Sequence, residues 1–127
     1  MKDAELQKLF LNEFLELNNN KSQREAIFQT DGPTLIIAGP GTGKTFTLVL
    51  RTLYILLSEK AKPSEIILST FTEKSSFEIR DRLSQFQKRL NVKIDLHELR
   101  TGTLHSIFSI IPTFHYPKEK SFVCKRK

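Results

Sequence analysis

One stretch constrains this chain more than any other. The apolar, β-branched run Thr34-Leu35-Ile36-Ile37-Ala38 leads directly into Gly39-Pro40-Gly41-Thr42-Gly43-Lys44-Thr45, and an apolar helical pattern follows at once. A strand, a glycine-rich turn and a helix headed by Lys-Thr together solve one physical problem, the holding of a polyphosphate. Glycines let backbone N–H groups turn inward and approach phosphate oxygens, while the helix N-terminus adds unpaired donors and a favourable dipole. Lys44 supplies the positive charge expected at the β- and γ-phosphates, and the Thr45 hydroxyl is placed to ligate Mg²⁺. The motif departs from Gly-x-x-x-x-Gly-Lys-Ser/Thr only at its first position, where Ala38 stands for glycine. A nucleoside triphosphate, ATP before others, is the expected ligand.

Upstream, residues 1–17 carry apolar side chains at Leu6, Leu9, Phe10, Phe14 and Leu17 with Glu and Lys between them, which predicts an amphipathic helix. No continuous apolar run or small-residue cleavage site follows it, as a signal peptide would require. Apolar stretches elsewhere are too short to span a bilayer, so a cytoplasmic protein with no membrane partner is the expectation. The polar break Asn18-Asn19-Asn20-Lys21 precedes Ser22-Gln23-Arg24-Glu25, a Ser-x-x-Glu pattern that predicts a helix over about 23–29 capped by Ser22. Asp31-Gly32-Pro33 is a turn signal, and Thr34–Ala38 then reads as a strand buried on both faces.

From Thr45 to Glu59 apolar positions wrap most of a helix, which predicts burial against a sheet. Ile66–Phe71 reads as a second strand, and Thr72 as the cap of a charged helix whose apolar face holds Phe77, Ile79, Leu83, Phe86 and Leu90. Val92, Ile94 and Leu96 alternate in a weakly strand-like way, Leu99–Thr103 suggests a short strand, and Leu104–Ile111 a helix stopped by Pro112. Strand and helix in alternation imply an α/β fold with a parallel sheet flanked by helices. The chain divides into an N-terminal helix and turn (1–19), a nucleotide-binding unit (20–111) and a basic tail or the start of a further subdomain (112–127). At 127 residues this is one domain's worth of protein.

Twenty Lys and Arg against fourteen Asp and Glu give a net charge of +6, which favours an anionic partner through counterion release. The lone cysteine, Cys124, can form no internal disulfide and excludes a Cys-based metal cluster. Gln23 offers an amide with one acceptor and two donors, the complement of adenine's N6 amine and N7.

These features, in this order, resemble the UvrD/Rep/PcrA-type superfamily 1 DNA helicases. Asn20 to Ile27 looks like that family's Q motif, Ala38 to Thr45 like motif I, Thr70-Phe71-Thr72-Glu73-Lys74 like motif Ia, and Gly102-Thr103-Leu104-His105-Ser106 like motif Ib. The resemblance implies a P-loop, RecA-like fold, with ATP and Mg²⁺ as cofactors and single-stranded or partly duplex DNA as partner. It implies a nucleotide site of Gln23, Ala38, Gly39, Pro40, Gly41, Thr42, Gly43, Lys44 and Thr45, with Lys44 and Thr45 catalytic. Phe46 stands in that site where the family often has Arg, and Arg51 matches a family arginine. On the DNA side it implies Thr70, Phe71, Thr72, Thr103, His105 and Ser106: the ring of Phe71 as a stacking surface, the imidazole and hydroxyls as phosphate ligands. The 3'-5' direction of unwinding follows from the family alone.

The chain departs from the family at Asn19-Asn20, where Leu-Asn is usual, and at Glu73, where Asn is common and an acid beside a DNA phosphate is unfavourable. Hydrolysis also needs a carboxylate pair to hold Mg²⁺ and activate water, and commonly an arginine for the developing charge. Asp81 and Glu98 lie in the wrong contexts for the former. The expectation is therefore the ATP-binding front part of a helicase, incomplete for unwinding by itself, whether a fragment, a truncated product or one piece of a split protein whose remainder is a partner. Two other readings stand beside it: a non-catalytic nucleic-acid-binding module, and another P-loop ATPase such as an AAA+ protein. No guanine-reading Asn-Lys-x-Asp occurs.

Overall fold

The computed structural model describes residues 2–110. Helix α1 (Asp3–Glu13) buries Leu6 and Phe10 on the stripe that their spacing predicts. It ends earlier than the expected seventeen-residue helix. Phe14 leaves helical geometry at φ −120°, ψ 78°, and Leu15–Asn19 form a 3₁₀ turn. Arg24 explains the break: its Nη1 donates to the carbonyls of Leu17 at 2.9 Å and Asn18 at 2.5 Å. The bent path still buries Phe14 and Leu17 completely.

Helix α2 (Lys21–Phe28) is capped by Asn20 and not, as expected, by Ser22. The Asn20 side-chain oxygen accepts from Gln23 N at 3.0 Å, a cap-to-N3 bond, and this starts the helix two residues before a Ser22 cap would. Helix α3 (Lys44–Leu57) buries Val49, Leu50, Leu53, Tyr54 and Leu56, together with Thr47 and Thr52. The hydroxyls of those two threonines donate to Gly43 O at 3.0 Å and Leu48 O at 2.9 Å, one turn back, which satisfies them in the core. The main neighbours of α3 are α2 and helix α4 (Glu73–Arg89), so its apolar surface is covered by helices, where a sheet was expected.

An aromatic cluster joins these helices. Phe14 packs on Phe10, Phe46 and Phe86 with centroids at 6.1, 5.9 and 5.0 Å, and Tyr54 packs edge-on against Phe10 at 5.7 Å and Phe28 at 5.0 Å. Tilted and edge-to-face pairs of this kind bring together the positive edge of one ring and the negative face of the next. The N-terminal helix thus shares one core with the helices that frame the glycine loop.

The sheet is parallel and two-stranded, β1 (Ile67–Thr70) against β2 (Arg100–Thr103), with α4 as the crossover that parallel pairing demands. Thr72 caps α4 as expected, accepting from Ser75 N at 3.2 Å. Ile79 and Leu83 are buried on α4, but Phe77, expected on the same face, is 64% exposed. Helix α5 (Leu104–Ile110) follows β2 directly.

Two expected strands are absent among the described residues. Thr34–Ala38 runs without regular structure, and Leu35 and Ile37 are 85% and 89% exposed. A strand exists only by pairing, and among the described residues the sheet consists of β1 and β2, so this run has the composition of a strand without a ladder. Likewise 92–95 is irregular and Leu96–Glu98 a 3₁₀ turn, started by Asp95 accepting from His97 N at 3.0 Å. There Val92, Ile94 and Leu96 pack against the core from a loop.

Candidate functional site

The glycine loop closes on the head of α3. Gly41 and Gly43 sit at φ +72° and +81°, in the left-handed region that favours glycine, and Gly43 is the residue from which α3 springs. The first helical bond runs from Thr47 N to Gly43 O at 2.9 Å, and no side chain caps the helix. The N–H groups of Lys44, Thr45 and Phe46 therefore point back into the loop as a set of aligned donors. Thr42 Oγ1 donates to Gly39 O at 2.6 Å and braces the turn. The Lys44 ammonium folds over it, 3.4 Å from Ala38 O and 3.3 Å from Gly39 O, so a cation and a helix terminus lie side by side. That donor set fits a polyphosphate: backbone N–H groups on one side, an ammonium on the other, and Thr45 at the helix start.

Gln23 reaches this loop. Its Nε2 donates to Thr42 O at 3.2 Å, and a Cβ on Gly43 would stand 3.0 Å from the same nitrogen. The side chain expected to read a base thus lies against the turn expected to hold phosphates. Phe46 and Arg51, placed in the nucleotide site by resemblance, point elsewhere. The Phe46 ring packs on Phe14 and on Phe86, the latter at 5.6 Å, as part of the aromatic cluster. Arg51 Nη1 donates to Ala26 O at 2.5 Å and Gln29 O at 2.7 Å, and its Nη2 to Thr34 Oγ1 at 3.1 Å.

The second group of expected residues gathers at the C-terminal edge of the sheet. The register pairs Thr70 with Thr103, which brings the ends of both strands and the starts of α4 and α5 side by side. Phe71, just past β1, is 92% exposed, and His105 is exposed on α5. The hydroxyls there are engaged internally. Thr70 Oγ1 lies 2.6 Å from Ser76 Oγ and donates to Thr72 O at 2.9 Å, and Ser106 Oγ donates to Thr103 O at 2.9 Å. The free chemistry of this edge is accordingly aromatic and imidazole, with the hydroxyls shaping the loops that present it.

Several contacts at this edge were not anticipated from sequence. Glu73 accepts from Thr103 Oγ1 at 3.4 Å and so links the two loops from the start of α4. Gly102 lies so close under α5 that a Cβ would meet Ser106 Oγ at 2.6 Å. Arg80 on α4 donates through Nε to Thr101 Oγ1 and through Nη2 to Thr101 O at 3.2 Å, tying helix to strand. The bonds of Glu73 to Thr103 and of Arg80 to Thr101 have no one-dimensional signal, although Glu73 and Gly102 both stand inside motifs quoted from the sequence. A cavity of about 400 Å³ lies on the other side of Arg80, between α4 and 94–99, away from the residues expected to act. Among the described residues no cluster of His, Cys, Asp and Glu could hold a metal ion, and no helix is long and apolar enough to cross a membrane.

Residues 19–121 match the family described as the UvrD/REP helicase N-terminal domain. Curated relatives include ATP-dependent DNA helicase SRS2 of Saccharomyces cerevisiae, 39% identical over 70% of this chain and 7% of that protein. ATP-dependent DNA helicase Rep of Buchnera aphidicola subsp. Acyrthosiphon pisum is 36% identical over 69% of the chain and 13% of the relative. ATP-dependent DNA helicase PcrA of Staphylococcus epidermidis is 42% identical over 52% of the chain and 9% of the relative. In each case the aligned part of this chain is a small share of the relative's length.

Proposed function

Because the chain belongs to the UvrD/REP helicase N-terminal domain family, we propose that it binds ATP and Mg²⁺ as the front part of a RecA-like, UvrD-type, ATP-dependent DNA helicase. The observation that carries this reading is the donor set at the head of α3, with the Lys44 ammonium and the Gln23 amide both bonded to the glycine loop. In this reading the backbone N–H groups of the loop hold the phosphates, Lys44 neutralises charge at the β- and γ-phosphates, and Thr45 ligates Mg²⁺. Gln23 reads the adenine. The bound metal supplies charge neutralisation at the phosphates, and this chain's residues supply position and exclusion of alternatives.

Phe71 and His105 form the face toward single-stranded DNA, and the curated relatives named as DNA helicases support that assignment. ATP hydrolysis and unwinding call on more than these residues: the aligned part covers 7% and 13% of two relatives, and among the described residues no group of three or more His, Cys, Asp and Glu side chains could hold a metal ion. The cytoplasm, where ATP and DNA meet, is the setting of this activity. Lys44→Ala tests the reading: titration with a fluorescent ATP analogue should show loss of binding with unchanged circular dichroism. Retention of affinity in that variant would overturn it.

A further inference from the structure

Helix α2 is held at both of its ends, and by different things. At its start Gln23 Nε2 donates to Thr42 O in the glycine loop at 3.2 Å. At its close the carbonyls of Ala26 and Gln29 both accept from Arg51 Nη1. With eight residues, α2 is too short to be stable alone and has no basic residue in its last turn, so the guanidinium from α3 supplies the cation that its C-terminal dipole favours. The same guanidinium donates to Thr34 Oγ1, on the segment that enters the loop. Among the described residues Arg51 makes no ion pair, and its three hydrogen bonds all go to these backbone and hydroxyl oxygens. One planar group on the helix that carries Lys44 thereby fixes the helix that carries Gln23, and its one further bond, to Thr34, lies outside the glycine loop.

We propose that Arg51 is a positioning residue for base recognition: it sets the distance from Gln23 to the glycine loop and through it the chain's preference for adenine. The proposal rests on the reading of Gln23 as the adenine-contacting residue. Phosphate binding depends on the loop and the head of α3, which Arg51 does not touch, so the two halves of nucleotide recognition should separate when Arg51 is changed. Lysine cannot replace it, because an ammonium offers no planar fork to reach carbonyls on α2 and the Thr34 hydroxyl together.

The experiment measures affinities of the 127-residue chain for ATP, GTP and inorganic tripolyphosphate by competition against a fluorescent ATP analogue. Arg51→Ala and Arg51→Lys should each weaken ATP about tenfold, the effect of one lost hydrogen bond on the base, and bring it toward GTP. Tripolyphosphate affinity should stay unchanged. Gln23→Ala should give the same loss, and adding Arg51→Lys to it should cost nothing further. If Arg51→Lys weakens all three ligands equally, or keeps the ATP preference while Gln23→Ala abolishes it, the positioning role is overturned and the Gln23 reading stands. If Gln23→Ala itself leaves the ATP preference intact, the adenine reading falls and the proposal with it. Arg51→Lys keeps charge and stem, so its result decides the matter even if Arg51→Ala does not fold.

Discussion

Alanine at Gly43 and alanine at Gly41 look equivalent in sequence and differ in space. Both glycines have positive φ, +81° and +72°, so an alanine held there costs about 1–2 kcal/mol. A free loop can relax out of that conformation, and a bound polyphosphate must restore it. The strain then appears as lost affinity, roughly 5- to 30-fold. Around Gly41 a Cβ meets nothing within 4 Å, and that strain is the whole effect. At Gly43 the Cβ stands 3.0 Å from Gln23 Nε2, and the flexible amide must retreat from its bond to Thr42 O. Losing that bond removes about 0.5–1.5 kcal/mol, a further factor of roughly 2 to 13. Titration with a fluorescent ATP analogue should therefore rank Gly43→Ala below Gly41→Ala, and the gap should close when both are placed in a Gln23→Ala background. A gap of the same size without the Gln23 amide, or native affinity in both glycine variants, would refute the reasoning.

Urea denaturation should separate the two candidate caps of α2: Asn20→Ala should lose about 1 kcal/mol and Ser22→Ala almost none. Phe14→Ala, which empties the centre of the aromatic cluster, should destabilise the chain by about 3–5 kcal/mol, whereas exposed Phe77→Ala should stay within about 0.5 kcal/mol in the same measurement. Phe71→Ala should weaken single-stranded DNA binding by about 1–3 kcal/mol in a fluorescence anisotropy titration while leaving the urea midpoint unmoved. Equal binding by the variant would remove Phe71 from the DNA face.

Features decided by neighbouring residues were legible in the sequence. The Thr72 cap, the helix that starts at Lys44 and the helix that follows β2 all depend on local hydrogen bonds or periodicity. What failed depended on distant partners. Leu35 and Ile37 satisfy every local requirement of a strand, yet pairing is supplied or withheld by other segments. The early end of α1 is written in Arg24, which sits in the next helix. Ser22 matched a capping box, but the Asn20 side chain accepts from Gln23 N and starts the helix two residues before a Ser22 cap would. Phe46 and Arg51 illustrate the same point at the site: a family position says that a side chain matters, and only packing says whether it faces a ligand, a core or another helix.

Pairing between β1 and β2 also determines which changes of length the chain can absorb. Thr70 opposite Thr103 is an index mark that keeps Phe71 and Glu73 level with His105 and Ser106. Residues added in the return path through 91–95, which takes no part in the strand pairing, would have to preserve only the packing of Val92 and Ile94. One residue added inside either strand would turn Ser69 or Gly102 to the opposite face, carry Glu73 away from Thr103, and put a side chain where Ser106 already lies. The sheet works here as a ratchet with single-residue teeth: the connection between the two loops can drift in length over generations, while the step that aligns them cannot.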